Sequence, residues 1–263
     1  MGKIAIIDCD SIAYIAFHPN KVLDANGNPL RENNKFVYQD KSERQIEASL
    51  DSLMDNILSS GGFTDYIGFV KGKNTIINRL SINPLYKSNR NAKQPKFWEF
   101  TKQSMIQRWK AVEVNGLEVD DAVNITRLNI KDSFITAIDK DLLSLEGTHY
   151  NWKKNEWVTV NTGEADTAFW SDMICGQPGD GLIGLKGKGE KYVEQLFKPN
   201  VLAPDLELWV PNYVKVLQAY YDYYKDFEIA LDEYTKMYKC LKILDKSEGF
   251  VIPEPINYVG KMS

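Results

Sequence analysis

Acidic side chains flank two hydrophobic segments within residues 116–145, and this arrangement constrains the fold more than any other feature of the sequence. One group of acids opens an apolar pattern with helical spacing. The other group follows residues 134–138, an apolar run typical of a short buried strand. Because ligands of open α/β sheets bind at the carboxyl ends of the strands, both groups are expected to face one place. The acids are Glu118, Asp120, Asp121, Asp139 and Asp141.

These carboxylates point to a bound cation. Carboxylates crowded into one place cannot all remain ionised unless a positive charge neutralises them. Mg²⁺ is held in proteins by a few carboxylates and water molecules, so it suits such a cluster. Either group alone is equally well explained as acids favoured by a helix N-terminus, or as a solvated loop. Both groups around one strand–helix unit favour a site for a hard divalent cation.

The composition is that of a globular protein with room for one large core or two unequal domains. Of 263 residues, 43% are hydrophobic and 26% are charged. No apolar run approaches the roughly 20 residues of a membrane span, and the N-terminus lacks the pattern of a signal peptide. The three cysteines have no zinc-binding spacing and are expected to be reduced, which predicts a cytoplasmic protein. With only two histidines, a histidine-based active site is disfavoured.

The charge is distributed unevenly along the chain. Residues 71–110 carry ten basic side chains and one acid, a net charge of +9, which leaves −13 for the rest of a chain whose total is −4. A basic segment beside an acidic centre is the polarity expected of a metal-dependent enzyme that acts on a phosphate polymer. The candidate nucleic-acid contacts in this segment are Lys71, Lys73, Arg79 and Lys93.

The N-terminal third has the pattern of strands separated by a helix and an insertion. Asp8 and Asp10 follow directly after the first predicted strand. The chain is expected to turn there, so only one of the two need face a metal. Residues 19–41 are polar and contain Gly, Pro and Asn, which predicts a loop or hairpin insertion. Ser42 with Gln45 predicts a capping box for the next helix. The predicted strands before residue 116 are 3–7, 66–70 and 111–114.

A glycine-rich segment between two predicted helices is the second informative feature. Residues 176–189 contain six glycines, which let the backbone approach a ligand closely because no Cβ intervenes. Backbone N–H groups at the start of the second helix suit a nucleic-acid phosphate without reading its sequence. For the glycines alone, a plain connector is an equal alternative, whereas Asp180 suits a metal-ligand role. The candidate phosphate contacts are Lys186, Gly187, Lys188, Gly189 and Lys191.

Five motifs stand in a recognisable order between residues 4 and 197, about three quarters of the chain. They are IIDCDS (6–11), LYKSNRNAKQP (85–95), GLEVDDAV (116–123), AIDKDLLSL (137–145) and GQPGDGLIGLKGKGEK (176–191). In this order they resemble the 5′-nuclease superfamily of flap endonucleases and 5′→3′ exonucleases. The resemblance is strongest to bacteriophage exonucleases and to the 5′-nuclease domain of DNA polymerase I.

The resemblance implies an α/β fold with a mostly parallel central sheet flanked by helices, as in PIN- and resolvase-like cores. It implies a nuclease core of residues 1–163, in which residues 71–110 form a helical gateway. It also implies a C-terminal helix–hairpin–helix subdomain that binds duplex DNA, within residues 164–263.

The resemblance also implies roles for individual residues. Lys87 and Arg90 would contact the scissile phosphate, with Tyr86 as a stacking residue. A K⁺ ion is implied at the helix–hairpin–helix. Two Mg²⁺ or Mn²⁺ ions are implied, with the ligands Asp8, Glu118, Asp120, Asp121, Asp139, Asp141 and Asp180.

The chain departs from the family pattern at two positions. The family often has an aspartate just after its second strand, where this chain reads Phe69-Val70-Lys71. It often has a second aspartate in the hairpin, where this chain has Gln177. A glutamine can coordinate through its carbonyl oxygen but brings no charge, so the second metal position is expected to have fewer carboxylates.

The expected activity is metal-dependent hydrolysis of DNA at a 5′ end or flap, by a monomeric protein of a bacteriophage acting in the host cytoplasm. An RNA–DNA hybrid, as in RNA-primer removal, is an alternative substrate. A PIN-like ribonuclease is an alternative enzyme that shares the acidic cluster but generally lacks a hairpin at 176–191. Outside enzymes, the alternative is a structure-specific DNA-binding protein with reduced catalysis, which would yield no metal-dependent products.

Overall fold

The most continuous apolar segments of the sequence become the central strands of a buried sheet. The structure, a computed structural model, describes residues 2–90, 94–198 and 211–258. In this part of the chain the strands are β1 (Lys3–Asp8), β2 (Asn20–Lys21), β3 (Arg31–Glu32), β4 (Lys35–Phe36), β5 (Tyr38–Gln39), β6 (Phe63–Lys71), β7 (Val112–Val114), β8 (Ser133–Ala137), β9 (Gly147–Asn151), β10 (Glu156–Val160), β11 (Gly176–Gln177), β12 (Leu182–Ile183) and β13 (Ile256–Asn257). The helices are α1 (Cys9–Phe17), α2 (Glu43–Gly61), α3 (Ile77–Ile82), α4 (Trp98–Trp109), α5 (Val119–Asn129), α6 (Lys140–Leu143), α7 (Thr162–Cys175), α8 (Glu190–Leu196), α9 (Asn212–Tyr224) and α10 (Phe227–Leu241).

The large sheet is mostly parallel. Its strands run in the order β10-β9-β8-β1-β6, and both β7 and β13 pair with β6. Strand β1 lies between β6 and β8 and is parallel to both, and the β6–β7 and β8–β9 pairs are also parallel. The antiparallel pairs are β9–β10, a hairpin, and β6–β13.

Helices cover both faces of this sheet. Ile7 of β1 packs in one hydrophobic cluster with side chains of α1, α2 and α4, whereas Ile6 packs in another with side chains of α5. Successive residues of a strand point to opposite faces, so a strand covered on both sides must be apolar throughout. Ala5, Ile6 and Ile7 are fully buried, and each isoleucine contributes about 1.5–3 kcal/mol of burial free energy. The predicted α/β class, with a mostly parallel sheet flanked by helices, is confirmed.

Two local predictions near the N-terminus are also confirmed. Ser42 Oγ accepts a hydrogen bond from the N–H of Gln45 (3.3 Å), and Gln45 Oε1 accepts one from the N–H of Ser42 (2.9 Å), which is the capping box of α2. Helix α2 ends at Gly61, followed by Gly62 in the left-handed conformation (φ +67°). The insertion at 19–41 forms two small antiparallel pairs, β2–β5 and β3–β4.

Helices α7 to α10 form a third hydrophobic cluster, which includes Trp170, Tyr220 and Met237. Tyr86 belongs to this cluster, and Leu80 of α3 packs against it. The helical C-terminal part therefore shares its core with the base of the predicted gateway, and the boundary between 1–163 and 164–263 stays a prediction. Among the described helices, none combines the length and the apolar character needed to cross a lipid bilayer.

Candidate functional site

Two aspartates lie where adjacent parallel strands end. Asp8 is the last residue of β1, and its carboxylate accepts a hydrogen bond from the N–H of Asp10 (3.0 Å) at the start of α1. Asp139 follows β8, and its carboxylate accepts one from the N–H of Asp141 (2.8 Å) at the start of α6. Because β1 and β8 are parallel neighbours, both side chains lie at the same edge of the sheet, as the sequence predicted.

Helix α5 brings further acids to this edge. Glu118 is its N-cap residue, and Asp120 lies in its first turn. Burial raises the pKa of Asp120, and the charges of Asp8, Asp139 and Glu118 raise it further. Burial, followed by the charge of Asp10 and with a smaller effect of Asp139, raises the pKa of Asp8 to about 7. Asp8, Asp120 and Asp139 line one cleft, so acids from β1, α5 and the end of β8 converge.

Asp141 extends the cluster towards the β11–β12 hairpin. Burial, followed by the charge of Asp139, raises the pKa of Asp141 to about 6, with smaller effects from Asp172 and Asp180. Gln177 donates hydrogen bonds from Nε2 to Asp172 (2.8 Å) and to Asp141 (3.4 Å). Asp172 was not among the acids predicted from the sequence. The signal that could have indicated it is an acid in the last turn of α7, where the helix dipole disfavours negative charge.

Asp10 has a separate position beside the cluster. Its carboxylate accepts a hydrogen bond from the N–H of Lys71 (2.9 Å), which joins the start of α1 to the end of β6. Burial raises the pKa of Asp10 to about 6, and the bond from Lys71 opposes this rise. At the position where the family often has an aspartate, this chain therefore uses the backbone of Lys71 to hold Asp10.

The predicted catalytic cations lie among the acids. Lys87 Nζ forms an ion pair with Glu118 and lies 3.8 Å from the carboxylate of Asp180, and Arg90 forms an ion pair with Asp180. Burial acts to raise the pKa of Glu118, but the positive charges of Lys87 and Arg79 outweigh it, so this pKa is lowered. The structure thus brings Lys87 and Arg90 to the acidic cluster.

Tyr86 forms part of the wall of the site. It is 4% exposed, and its hydroxyl donates a hydrogen bond to Glu118 (2.9 Å). Stacking on a nucleobase requires an exposed ring face, which this burial does not provide. The expected stacking role of Tyr86 is therefore replaced by a role in orienting Glu118.

Arg79 lies inside the protein, although the sequence placed it among the nucleic-acid contacts. It is 7% exposed, and its Nη1 pairs with both Glu118 and Asp121. Its Nε and Nη2 also donate to the carbonyl oxygens of Cys240 (3.0 Å) and Lys242 (2.9 Å). All of its nitrogen atoms are engaged by the protein, so we correct its assignment to a structural link between α3, α5 and the end of α10.

Asp121 takes part in the same structural link between α3, α5 and the end of α10. It is 1% exposed, and its carboxylate accepts hydrogen bonds from Arg79 (2.8 Å from each of two nitrogens) and from the N–H of Leu244 (2.9 Å). Glu118 and Asp121 are three residues apart and share one face at the start of α5, where both contact Arg79. Of these two acids, Glu118 is the one that also contacts Lys87, on the side of the converging acids.

Three clefts meet at the acids and the two cations. The first has a volume of about 840 Å³ and is lined by Asp8, Asp120, Asp139 and the basic residues Lys71 and Lys73. The second, about 620 Å³, lies between Asp139 and residues 176–180 of the hairpin. The third, about 730 Å³, lies beside α5 and α7 and includes Asp120 and Asp141. The site is therefore open to a long ligand from more than one side.

The remaining predicted nucleic-acid contacts lie on the surface where the structure describes them. Lys71 and Lys73 are exposed, as are Lys186 and Lys191. Lys188 is half-buried, with Nζ 4.1 Å from the ring centroid of Tyr192. Their DNA-binding roles stay predictions, as do those of Gly187 and Gly189, which are exposed between α7 and α8. Lys93 lies outside the described residues.

The converging carboxylates are chemically suited to bind a divalent cation. Over residues 2–90, 94–198 and 211–258, no group of three or more His, Cys, Asp or Glu side chains is arranged as a ready set of metal ligands. The carboxylates of Asp8, Asp120 and Asp141 are nevertheless hard oxygen donors whose pKa values burial and mutual repulsion raise. Burial and repulsion both disfavour the ionised form of these groups, and a bound divalent cation would offset both effects.

Comparison with known proteins identifies the fold through solved structures alone. No protein-family model matches the chain, and no curated protein sequence matches it. A bacteriophage T5 flap endonuclease, in a pseudo-enzyme–product complex with DNA and metal ions, is 17% identical with a TM-score of 0.59, over 90% of this chain and 89% of its own. A T5 protein co-crystallised with metal ions is 14% identical with a TM-score of 0.60, again over 90% and 89%. T5 5′-exonuclease with bound divalent zinc is 14% identical with a TM-score of 0.58, over 91% and 86%.

These similarities extend over almost the whole of both chains, so they concern the complete architecture and not the sheet alone. Identities of 14–17% establish the shared fold and leave the activity to be argued from the site. This chain therefore has the fold of the 5′-nucleases.

Proposed function

We propose that this protein is a divalent-metal-dependent 5′-nuclease that hydrolyses phosphodiester bonds of DNA at 5′ ends or flaps. One observation carries this proposal. Acids from β1, α5 and the end of β8 converge at one edge of the sheet, and Lys87 and Arg90 lie among them. The similarity in fold to a T5 flap endonuclease whose structure contains DNA and metal ions supports it.

Asp8, Asp120, Asp139 and Asp141 are the residues that would hold the cation, which we propose to be Mg²⁺ or Mn²⁺. When bound, it would supply Lewis-acid chemistry, which activates water and stabilises charge on the leaving oxygen. Glu118 and Asp180 already have Lys87 and Arg90 as partners, so they complete the charge balance at the rim of the cluster.

Lys87 and Arg90 would bind the scissile phosphate. Ammonium and guanidinium groups form charge-assisted hydrogen bonds with phosphate oxygens. Both cations face the clefts, because Arg90 lines the two that include Asp8 and Asp139, and Lys87 lines the two that include Asp120. A phosphate bound between them would share these donors with Glu118 and Asp180. Fixed positive charges of this kind stabilise the negative charge that develops on the phosphoryl oxygens.

The surrounding basic side chains would hold the DNA at a set distance from the site. Lys71 and Lys73 line the 840 Å³ cleft and would follow the strand that enters it. Lys186 and Lys191 are exposed near the start of α8 and would contact the phosphates of the duplex. Neither set reads bases, so the enzyme would select DNA by its shape and its 5′ end.

A panel of substrates tests the proposal. Oligonucleotides labelled at either end should include a 5′-flapped duplex, a blunt duplex, a single strand and an RNA–DNA hybrid. We expect products from the 5′ side of the duplex in Mg²⁺ and none in EDTA. Cleavage of single-stranded RNA in preference to any duplex would instead identify a ribonuclease. Binding to the flapped duplex without any products in Mg²⁺ would identify a DNA-binding protein.

A further inference from the structure

The segment that carries Lys87 is docked backbone to backbone on the turn of the β11–β12 hairpin. The N–H of Lys87 donates a hydrogen bond to the carbonyl oxygen of Asp180 (2.7 Å). Asn89 Nδ2 donates another to the carbonyl oxygen of Pro178 (2.9 Å). These bonds join residues about ninety positions apart in the sequence. They fix the backbone of the segment 85–90 relative to the turn 178–181.

Gly181 is the point of closest approach between the two segments. A Cβ atom at this position would lie 2.3 Å from the carbonyl oxygen of Leu85 and 3.6 Å from the backbone nitrogen of Lys87. The nearer contact is shorter than any real side chain tolerates, and its partner is backbone that cannot rotate away. Gly181 also has a φ of +73°, which disfavours any residue with a Cβ. Glycine is therefore required here for two separate reasons.

Lys87 itself has a backbone conformation that needs external support. Its φ is +54°, in the left-handed region that non-glycine residues adopt at a cost. Such a conformation persists when the surrounding structure holds it in place. The hydrogen bond from Lys87 to Asp180 and the contact of Leu85 with Gly181 provide this support. They also direct the Lys87 side chain to Glu118.

We propose that Gly181 is a positioning residue, which sets the place of Lys87 by allowing the hairpin turn to contact the backbone of residues 85–87. The turn lies in the segment between α7 and α8 that we assign to binding duplex DNA. The contact therefore links this DNA-binding segment to Lys87, which we assign to the scissile phosphate. This inference rests on the proposed nuclease function. Gly181 contributes no side chain to the site and acts through the position of Lys87.

The test compares Gly181→Ala with a matched variant outside the site, Gly27→Ala in the 19–41 insertion. Gly27 also has a positive φ (+82°), and a Cβ there meets no atom within 4 Å, so this control adds the same methyl group and the same backbone strain without displacing the segment 85–87. We expect Gly181→Ala to lower the single-turnover rate constant for flap cleavage by about 10- to 100-fold, since small misplacements of catalytic groups have effects of this size. DNA affinity in EDTA should change less than about two-fold for either variant.

A second comparison distinguishes positioning from general damage. If Gly181 acts through Lys87, the variant Gly181→Ala should have little further effect in a protein that already carries Lys87→Ala. Asn89→Ala removes one side-chain link in the same contact and should give a smaller reduction of the same kind. It provides a usable variant if Gly181→Ala folds poorly. Equal losses from Gly181→Ala with and without Lys87→Ala would overturn the proposal.

A readout independent of cleavage separates this proposal from the proposed function. The Lys87 side chain is 14% exposed and held by Glu118, whereas the Lys140 side chain is 82% exposed. Brief acetylation followed by mass spectrometry should show several-fold faster labelling of Lys87 in Gly181→Ala, with Lys140 unchanged. Faster labelling in a protein that cleaves no substrate would support the positioning role and reject the nuclease. Unchanged labelling of Lys87 would reject the positioning role, whatever the protein cleaves.

Discussion

Replacing Arg79 with alanine should destabilise the protein strongly, because two buried acids depend on this side chain. Arg79 donates five hydrogen bonds, to Glu118, to Asp121 through two nitrogens, and to the carbonyl oxygens of Cys240 and Lys242. The side chains of Arg79 and Asp121 are 9% and 2% exposed. Water therefore cannot replace the lost donors without opening the contact between α3, α5 and α10.

The expected size of the effect follows from what each acid retains. Glu118 would keep its contacts with Lys87 and Tyr86, so its charge remains compensated. Asp121 would keep the N–H of Leu244 as a donor, and its buried charge would lose its counter-ion. Removing one partner of a buried ion pair costs about 3–5 kcal/mol. We expect the free energy of unfolding to fall by this amount, mostly through Asp121.

Urea unfolding at pH 7, followed by circular dichroism, measures this loss. The matched control is Lys96→Ala, which removes an exposed ion pair with Asp40 (3.0 Å, side chains 71% and 58% exposed). Exposed pairs contribute about 0–1 kcal/mol, so the control should change stability little. If Arg79→Ala is as stable as this control and instead binds DNA more weakly, Arg79 is a surface contact and our correction is mistaken.

Three further predictions concern metal, pH and helix capping. Mg²⁺ at 100 times its dissociation constant should stabilise the protein by about 2.7 kcal/mol in thermal unfolding, and Asp120→Asn should reduce this gain. Burial lowers the pKa of His149, so its neutral form is favoured on folding and its contribution is lost as pH falls below about 6.5. Between pH 7 and 5 the wild type should therefore lose stability relative to His149→Gln in parallel urea titrations; equal slopes would refute this. Ser42→Ala removes the cap of α2 and should cost about 0.5–2 kcal/mol by urea unfolding, whereas a loss below the measurement error would show that the cap is dispensable.

The parts of the fold that depend on local sequence were predictable. Strand β1 is apolar from Ile4 to Ile7, and Asp8 at its end marks the edge of the sheet. The capping box at Ser42 and the glycines that end α2 are signals within a few residues of one another. Local patterns of this kind act through hydrogen bonds and burial that do not require knowledge of the tertiary contacts.

The misplaced residues are those whose environment depends on distant parts of the chain. Arg79 lies in a basic segment, and its partners Asp121 and Cys240 come from α5 and from the end of α10. The sequence alone gives the charge of Arg79 but not the acids that neutralise it. The burial of Tyr86 also depends on distant parts of the chain, because it packs in a cluster with helices formed by residues beyond 160.

The contact between residues 85–90 and the turn 178–181 could not be predicted from the local sequence either. The six glycines of residues 176–189 indicated a close approach of the backbone to some partner. At Gly181 that partner is the carbonyl oxygen of Leu85, a part of the protein itself. Glycines in a sequence indicate that another group approaches the backbone closely, and only the fold identifies that group.

Cleavage of a 5′-flapped duplex by wild type and by Asp120→Asn, each in Mg²⁺ and in EDTA, decides whether the converging acids support metal-dependent hydrolysis of DNA. Asp120 lies where the charges of Asp8, Asp139 and Glu118 meet, so its carboxylate should be needed for metal-dependent chemistry. We expect 5′ products from the wild type in Mg²⁺ alone, and at least about 100-fold slower cleavage by Asp120→Asn with unchanged DNA binding. Equal rates for the two proteins, or wild-type products that persist in EDTA, would contradict it.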